Sequence, residues 1–328
     1  MSLSQTDVGV LLVNLGTPDA PSPKAVRRYL AEFLSDRRVV EIPALLWQPL
    51  LRGVILNTRP RKSAHAYGQV WTEAGSPLAA ITAAQARALQ ARLGAAAKVG
   101  WAMRYGNPAL GAELARLIEA GCARVLIAPL YPQYSGATTA SAIDALGAAL
   151  AKLRAQPAIR TLPPYYADPL HIAALAADIR RQIAALSFAP EVLLLSFHGM
   201  PERTQTLGDP YYRQCLETAR LLGETLQSAD LRIETSFQSR FGRAKWLEPA
   251  TDAMLAAEAR RGTQRLAIAA PGFSADCLET REELAIRGRD QFRAAGGSAF
   301  AALDCLNDGE AGMAMLESLI RRELAGWI

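Results

Sequence analysis

Histidine and cysteine are scarce in this sequence, and neither is arranged as a metal-binding motif. The 328 residues include three histidines and four cysteines, and no CxxC pair occurs. The cysteines therefore predict neither a zinc site nor a disulfide framework, and their wide spacing fits a reducing, cytoplasmic setting. They are Cys122, Cys215, Cys277 and Cys305.

Long runs of one residue class are also missing. No five consecutive residues carry like charge, although the formal net charge is +5 and the pI is near 9.1. Basic residues dispersed in this way do not predict a nucleic-acid surface. The longest apolar stretch, Ile42 to Leu56, is broken by Pro43, Pro49 and Arg52 and, at about 15 residues, is too short to span a bilayer. The N-terminus has no basic start, so no signal peptide is predicted.

Three glycine-based loop patterns are absent as well. The sequence contains no GxGxxG, GxxxxGK[ST] or GxSxG. Their absence removes support for dinucleotide binding, for nucleoside triphosphate binding and for an esterase nucleophile.

Apolar runs alternate along the chain with alanine- and leucine-rich amphipathic stretches. Half of the residues are hydrophobic, which is typical of a globular protein with a sizeable core. Strands that alternate with helices predict an α/β fold with a mostly parallel sheet.

Three pairs of similar segments occur in the same order in the two halves of the chain. "VLLVNLGTP" from Val10 pairs with "VLLLSFHGMP" from Val192, and "KVGWAMRYG" pairs with "RIETSFQSRFG". "RVLIAPLYPQYSGATTAS" pairs with "RLAIAAPGFSADCLET". Each segment reads as a strand, a loop and a helix start, so the repeat predicts two copies of one doubly wound unit. Ligands of such sheets bind beyond the carboxyl ends of the strands, and with two domains the cleft between them is the first place to look.

The first half carries an insert, roughly residues 26–71, between its first two strand units. This insert contains the apolar stretch from Ile42 to Leu56 and the basic "NTRPRK". An apolar arm beside basic residues could be a membrane-facing lip or a lid over an amphiphilic ligand. Spacing alone favours the alternative of a pair of core helices.

His198 is the one histidine that follows a predicted buried strand into a loop. Imidazole titrates near neutrality, so this position suits a general base or a metal ligand. The alternative is an ordinary polar loop residue.

Glu279 lies in the second half, in the loop that follows another apolar strand, "LAIAAP". Locally, Asp276 and Glu279 have the spacing of a capping box, with Asp276 as N-cap and Glu279 at N3. The functional alternative is that a histidine and a carboxylate face one cleft, where two ligands could form only an open metal site.

Aromatic and basic side chains also cluster in the repeated loops. They include Arg104, Tyr105, Tyr131, Tyr134 and Trp246. Such residues are often core, but together they suit a flat, conjugated ligand whose carboxylates pair with arginine.

The loops, in their order, resemble those of the ferrochelatase family over nearly the whole chain. The matching segments are "VNLGTPDAP", "GSPL", "RYGNP", "YPQYS", "SFHGMPERT", "GDPYYRQC", "SFQSRFG" with "KWLEP", and "PGFSADCLET". The resemblance implies an α/β fold of two similar Rossmann-like domains, each a four-stranded parallel sheet flanked by helices. It also implies insertion of ferrous iron into protoporphyrin IX, with release of two protons, to form protohaem.

The resemblance assigns site residues one by one. The family's histidine falls on His198 and its glutamate on Glu279; iron binds at these two, and one of them accepts the pyrrole protons. Asp276 supports the carboxylate. The positions that match porphyrin contacts are Leu15, Arg59, Tyr67, Ser76, Arg104, Tyr105, Tyr131, Trp246 and Phe273.

Domain limits and partners follow from the repeat and the resemblance. We expect an N-terminal domain over 1–165, a C-terminal domain with the metal site over 166–308, and a docking helix over 309–328. That helix should bury one apolar face, formed by Met313, Leu316, Leu319, Ile320 and Leu324. Iron is a substrate, and no prosthetic group is expected. We expect a cytoplasmic monomer that binds no nucleic acid, with peripheral membrane contact left open.

Two departures from the family pattern concern metal chemistry. Some members have a histidine two positions before the glutamate, where this chain has Cys277. Mitochondrial members add a cysteine-rich extension that holds a two-iron two-sulfur cluster, whereas this sequence ends "LAGWI", so we expect no cluster.

Two alternatives to protoporphyrin ferrochelatase stay open at this point. A coproporphyrin-specific enzyme would need a more polar site for four propionates, and the apolar "ALLWQPLL" and Leu15 favour the vinyl-bearing substrate instead. A non-catalytic two-domain protein that binds an acidic ligand would leave His198 and Glu279 as ordinary loop residues.

Overall fold

The computed structural model describes residues 7–227, 229–242 and 244–328. Residues 1–6 lie outside the described residues. They belong to the N-terminal stretch for which no signal peptide is predicted. The chain forms two compact units. Unit 1 runs to Leu130 and also contains Ser135–Pro163 and Leu316–Ile328, while unit 2 contains Tyr131–Tyr134 and Pro164–Met315.

Unit 1 contains a four-stranded parallel sheet in the order β2-β1-β3-β4. The strands are β1 (Val8–Thr17), β2 (Lys98–Gly106), β3 (Arg124–Pro129) and β4 (Ala158–Thr161). The central strands β1 and β3 are buried along almost their whole length. A parallel strand covered on both faces reads as a continuous apolar run, which explains "VLLV" in β1.

Helices flank this sheet, and two of them begin at Ser-Pro. Ser22 and Ser76 each accept a backbone N–H with the hydroxyl, from Ala25 and Ala79 respectively, and proline occupies the first helical position. The helices are α1 (Pro23–Phe33), α2 (Ala44–Leu50), α3 (Leu56–Val70), α4 (Pro77–Leu93), α5 (Leu110–Glu119) and α6 (Ser141–Leu150). Short π-helical segments cover Leu51–Ile55 and Gly136–Ala140, and a 3₁₀ turn covers Gly94–Ala96.

Unit 2 repeats the same sheet, in the order β6-β5-β7-β8, again all parallel. Its strands are β5 (Val192–His198), β6 (Arg232–Gln238), β7 (Arg265–Ala269) and β8 (Ala299–Ala302). The helices are α7 (Pro169–Ala184), α8 (Glu202–Thr206), α9 (Tyr211–Leu226), α10 (Thr251–Arg260), a π-helix (Glu279–Gly288) and α11 (Arg289–Ala294). A last helix, α12 (Glu310–Glu323), begins in this unit. Two matching parallel sheets confirm the fold predicted from the repeat.

The insert of unit 1 does not form a pair of core helices, so that interpretation was wrong for its apolar stretch. Helix α2 buries none of its residues. Leu45 is 91% exposed and Leu46 is 70% exposed, while Leu50 and Val54 are each about half exposed. The helix following this apolar surface, α3, is anchored by buried Leu56 and three further buried residues. Within the described residues, no helix has the length and apolar character needed to cross a bilayer.

The last helix, α12, buries its apolar face. Its start belongs to unit 2 and its end, from Leu316, to unit 1. The five residues of that face are at most 3% exposed: Met313, Leu316, Leu319, Ile320 and, just past the helix, Leu324.

Candidate active site

His198 is the last residue of β5 and lies half-buried at the carboxyl edge of the unit 2 sheet. Its Nδ1 lies 2.6 Å from the carbonyl oxygen of Gly199. A carbonyl oxygen can only accept a hydrogen bond, so Nδ1 carries the proton in this contact. The neutral ring then has its lone pair on Nε2, which can accept a proton or bind a divalent metal.

The backbone at His198 is held from two sides. The hydroxyl of Tyr211 donates to the carbonyl oxygen of His198 at 3.0 Å. Burial raises the pKa of Tyr211 well above its usual value, so this hydroxyl remains a donor. On the other side, the N–H of Gly199 donates to the carbonyl oxygen of Gln238 at 2.7 Å. A Cβ on Gly199 would lie 2.5 Å from that oxygen, which explains the glycine.

The loop after β7 reaches the same edge of the sheet. Strands β5 and β7 are parallel neighbours, so both loops leave in one direction. In this loop, the ring of Phe273 lies 6.5 Å from the ring of His198, measured between centroids. Gly272 packs so closely on Phe197 that a Cβ would lie 3.2 Å from its ring. The loop therefore lies against the end of β5, and Glu279 opens the π-helix that follows it.

The capping box predicted for Asp276 and Glu279 does not form. In a capping box Glu279 would accept the backbone N–H of Asp276, but that N–H donates to Oδ1 of Asn307 at 2.8 Å. The helix cap itself is Leu278, which makes no side-chain hydrogen bond. The prediction failed because Asn307 is remote in sequence from the local pattern.

The carboxylate of Asp276 is fully occupied by other groups. It accepts hydrogen bonds from Thr280 Oγ1 at 2.7 Å, from an Arg281 guanidinium nitrogen at 2.8 Å and from Asn307 Nδ2 at 2.7 Å. Arg281 also pairs with Asp304 at 2.9 Å. Asp276 is 1% exposed, so it supports the loop from inside the unit.

Glu279 itself is half-buried and lies beside the thiol of Cys277. Burial raises the pKa of Cys277, and the negative charge of Glu279 raises it further. Cys277 is therefore a neutral thiol beside the carboxylate. Among the described residues, no three His, Cys, Asp or Glu side chains gather as a metal site. An imidazole and a carboxylate could form only an open site, which suits a metal that is passed on.

Trp246 packs beside the turn that follows His198. Its Cε3 atom would be 3.3 Å from a Cβ on Gly199, and its ring centroid lies 4.8 Å from that of Phe241. Trp246 is 8% exposed, and its indole N–H has no hydrogen-bond partner among the described residues. Tyr131 is half-buried at the start of the Tyr131–Tyr134 segment of unit 2.

Arg104 and Tyr105 of unit 1 belong to one buried polar network. Arg104 donates to the carboxylate of Asp36 at 2.6 Å and to Ser141 Oγ at 2.7 Å. The Tyr105 hydroxyl donates to Asp36 at 2.7 Å, and Ser141 donates to the same oxygen at 2.6 Å. Burial would raise the pKa of Asp36, but the hydrogen bonds from Ser141, Arg38 and Tyr105 and the charge of Arg104 lower it overall. Arg104 thus already has a carboxylate partner within unit 1.

The other assigned residues of unit 1 lie in different settings. Leu15 is half-buried near the end of β1, and Arg59 is exposed on α3. Tyr67 is buried on α3, with its ring 6.1 Å from that of Trp71. Ser76 is 3% exposed and caps α4, so its hydroxyl has a structural partner.

Several residues that hydrogen-bond to the assigned residues were not predicted from the sequence. Tyr211 lay in the quoted "GDPYYRQC" but received no role, and Asp36 and Ser141 were not considered. Asn307, in the loop after β8, was the hardest to predict, because the sequence shows only that a polar residue follows a strand there.

The chain is similar to ferrochelatases over nearly its whole length. The ferrochelatase family model matches residues 7–324. The ferrochelatase of Methylocella silvestris is 50% identical over 99% of this chain and 96% of its own length. That of Rhodopseudomonas palustris is 50% identical over 98% of this chain and 94% of its own.

Solved structures share the fold at low sequence identity. SirB from Bacillus subtilis with Fe3+ superposes with a TM-score of 0.58 at 11% identity, over 97% of this chain and 96% of that one. DR2241 from Deinococcus radiodurans gives a TM-score of 0.52 at 15% identity, over 96% of this chain and 55% of that one. At these identities the likeness shows the fold alone.

Proposed function

The chain belongs to the ferrochelatase family, and from this premise we propose that it inserts ferrous iron into protoporphyrin IX to give protohaem. Membership makes it a metal chelatase of the lyase class with a porphyrin and iron as substrates. We propose protoporphyrin IX as the porphyrin, and His198 with Glu279 as the residues that act on it. The observation that carries it is the 2.6 Å contact between His198 Nδ1 and the Gly199 carbonyl oxygen, which leaves Nε2 as the acceptor of the neutral ring.

His198 and Glu279 together supply what the reaction requires. A porphyrin carries two protons on its ring nitrogens, which must leave before the metal enters the ring plane. Imidazole and carboxylate can both act as general bases, and both are ligands for ferrous iron. We assign iron binding and proton acceptance to this pair. Because a two-ligand site is open, the iron can leave it for the ring.

The remaining assigned residues are proposed to hold the porphyrin. A close apolar and aromatic environment can use binding energy to keep the ring bent, so that its nitrogens face the incoming metal. The proposed contacts are Leu15, Arg59, Tyr67, Ser76, Arg104, Tyr105, Tyr131, Trp246 and Phe273. Half-buried Leu15 and the exposed apolar surface of α2 support a substrate with vinyl groups rather than four propionates.

The exposed apolar surface also supports a peripheral membrane contact. Leu45, Leu46 and Val54 face solvent, and Arg52 and Arg59 nearby in sequence are exposed cations. Such a surface suits the interface of an anionic bilayer. We further propose a cytoplasmic monomer in which iron is a substrate and no cluster is bound, since all four cysteines are buried thiols.

The test of the proposed site is His198→Ala, with Glu279→Gln as its companion. Both variants should bind protoporphyrin, measured by fluorescence titration, with near wild-type affinity. Iron insertion, measured anaerobically, should fall by orders of magnitude. Turnover that survives His198→Ala would show that the site is wrongly placed. A wild-type chain that binds porphyrin without inserting iron would be a binding protein instead.

A further inference from the structure

Asn307 contacts the loop that leads to Glu279, although Asn307 itself lies in a different loop. It follows β8, the neighbour of β7 in the sheet. Its backbone N–H donates to the carbonyl oxygen of Ser274 at 3.2 Å. Its side chain then bonds Asp276 twice, accepting the backbone N–H at 2.8 Å and donating to the carboxylate at 2.7 Å. Three hydrogen bonds therefore fix the loop three to five residues before Glu279.

One of these bonds competes directly with Glu279. The backbone N–H of Asp276 is the group that Glu279 would accept if the local sequence formed a capping box. Asn307 Oδ1 takes that N–H instead. A Glu279 carboxylate turned back onto Asp276 would have fewer lone pairs for a metal, and the bond from the Asp276 N–H to Asn307 leaves that N–H unavailable to it.

The backbone conformation of Asn307 is unusual for a residue other than glycine. Its φ is +50°, in the left-handed region, which asparagine tolerates better than most residues. Arg281 reinforces the same contact, since it pairs with both Asp276 and Asp304. The loop after β8 is thereby fastened to the start of the π-helix through both Asn307 and Arg281.

We propose that Asn307 is a positioning residue for Glu279. It satisfies the Asp276 N–H from outside the helix and so keeps the Glu279 carboxylate available for ferrous iron. This inference rests on the proposed function, in which Glu279 is a metal ligand.

The test is a double-mutant cycle between Asn307→Gly and Glu279→Gln. Glycine adopts φ +50° without strain, so Asn307→Gly removes the side-chain bonds and spares the backbone. Groups that orient metal ligands typically change metal affinity or activity by about 10- to 100-fold when removed. We expect kcat to fall at least about tenfold with the KM for porphyrin unchanged, and the Kd for Co2+, measured by calorimetry, to rise by a similar factor.

The cycle separates a positioning role from a merely structural one. If Asn307 acts through Glu279, adding Asn307→Gly to Glu279→Gln should change neither kcat nor the Co2+ affinity further. An equal loss in both backgrounds, or no loss in either, would overturn the inference. Full turnover in Glu279→Gln alone would instead contradict the proposed function. If Asn307→Gly does not fold, Asn307→Ala replaces it, because alanine also removes the acceptor of the Asp276 N–H.

Discussion

The hydroxyl oxygen of Tyr211 lies 3.0 Å from the carbonyl oxygen of His198, on the chain segment that sets the direction of the imidazole. Tyr211→Phe removes this donor and leaves the ring in place. We expect a loss of about 1 kcal/mol in the free energy of unfolding and a kcat reduced by a few fold. Tyr212→Phe is the matched control, because no hydrogen bond of its hydroxyl is found among the described residues, and its ring packs 5.5 Å from Phe237. Equal kcat for the two variants would contradict the role of Tyr211.

Gly199 is the second constraint on His198. An added Cβ would lie 2.5 Å from the Gln238 carbonyl oxygen and 3.3 Å from the ring of Trp246. Gly199→Ala should therefore cost about 1–3 kcal/mol of stability and lower turnover, since backbone must move next to the imidazole. Gly223→Ala in α9 is the control, because nothing lies within 4 Å of its Cβ and alanine favours the helix. Chemical denaturation and an insertion assay on both variants measure the difference. Wild-type stability in Gly199→Ala would show that the close approach is relieved easily.

His171 should make the stability of the protein depend on pH. It is buried in α7, edge-on to Tyr165, and neither ring nitrogen has a hydrogen-bond partner among the described residues. Burial lowers the pKa of His171 to about 4, against a smaller opposite effect of Asp168. The unfolded chain binds this proton below about pH 6.5, while the folded chain does not until about pH 4.

The stabilisation is therefore complete above pH 6.5 and is lost as the pH falls towards 4, by about 3 kcal/mol in total. His171→Phe keeps an aromatic ring against Tyr165 and cannot be protonated. Urea unfolding of this variant between pH 7 and pH 4 should show a flatter dependence than the wild type. Identical slopes would mean that the ring gains a proton without cost. His65→Phe, at an exposed position on α3, is the control.

The fold was largely predictable from the sequence because the signals are local or repeated. The apolar run before His198 predicted a buried strand, and the matching segments predicted two sheets of one kind, both confirmed by β5 and by the two strand orders. The capping box failed for a physical reason: local spacing cannot show that Asn307 has taken the Asp276 N–H. The prediction of core helices in the insert was wrong for a different reason: apolar residues need not be buried, and Leu45 is 91% exposed.

The exposed apolar surface of α2 gives a prediction for membrane binding. Leu45→Ser with Leu46→Ser should change the free energy of unfolding by less than about 0.5 kcal/mol, because both side chains face solvent. Binding to anionic lipid vesicles, measured by co-sedimentation, should fall clearly. Leu207→Ser is the control, since Leu207 is 65% exposed but lies in unit 2, after α8. Vesicle binding that is unchanged in the double variant would rule out this surface as the contact.

The most direct test of the central claim is an anaerobic assay of ferrous iron insertion by the wild-type protein, with protoporphyrin IX and coproporphyrin III compared at equal concentrations. The account predicts turnover with protoporphyrin IX, at a kcat/KM higher than that for coproporphyrin III, and its loss in His198→Ala. A preference for coproporphyrin III would contradict the proposed substrate, and no insertion into either porphyrin would contradict the proposed reaction.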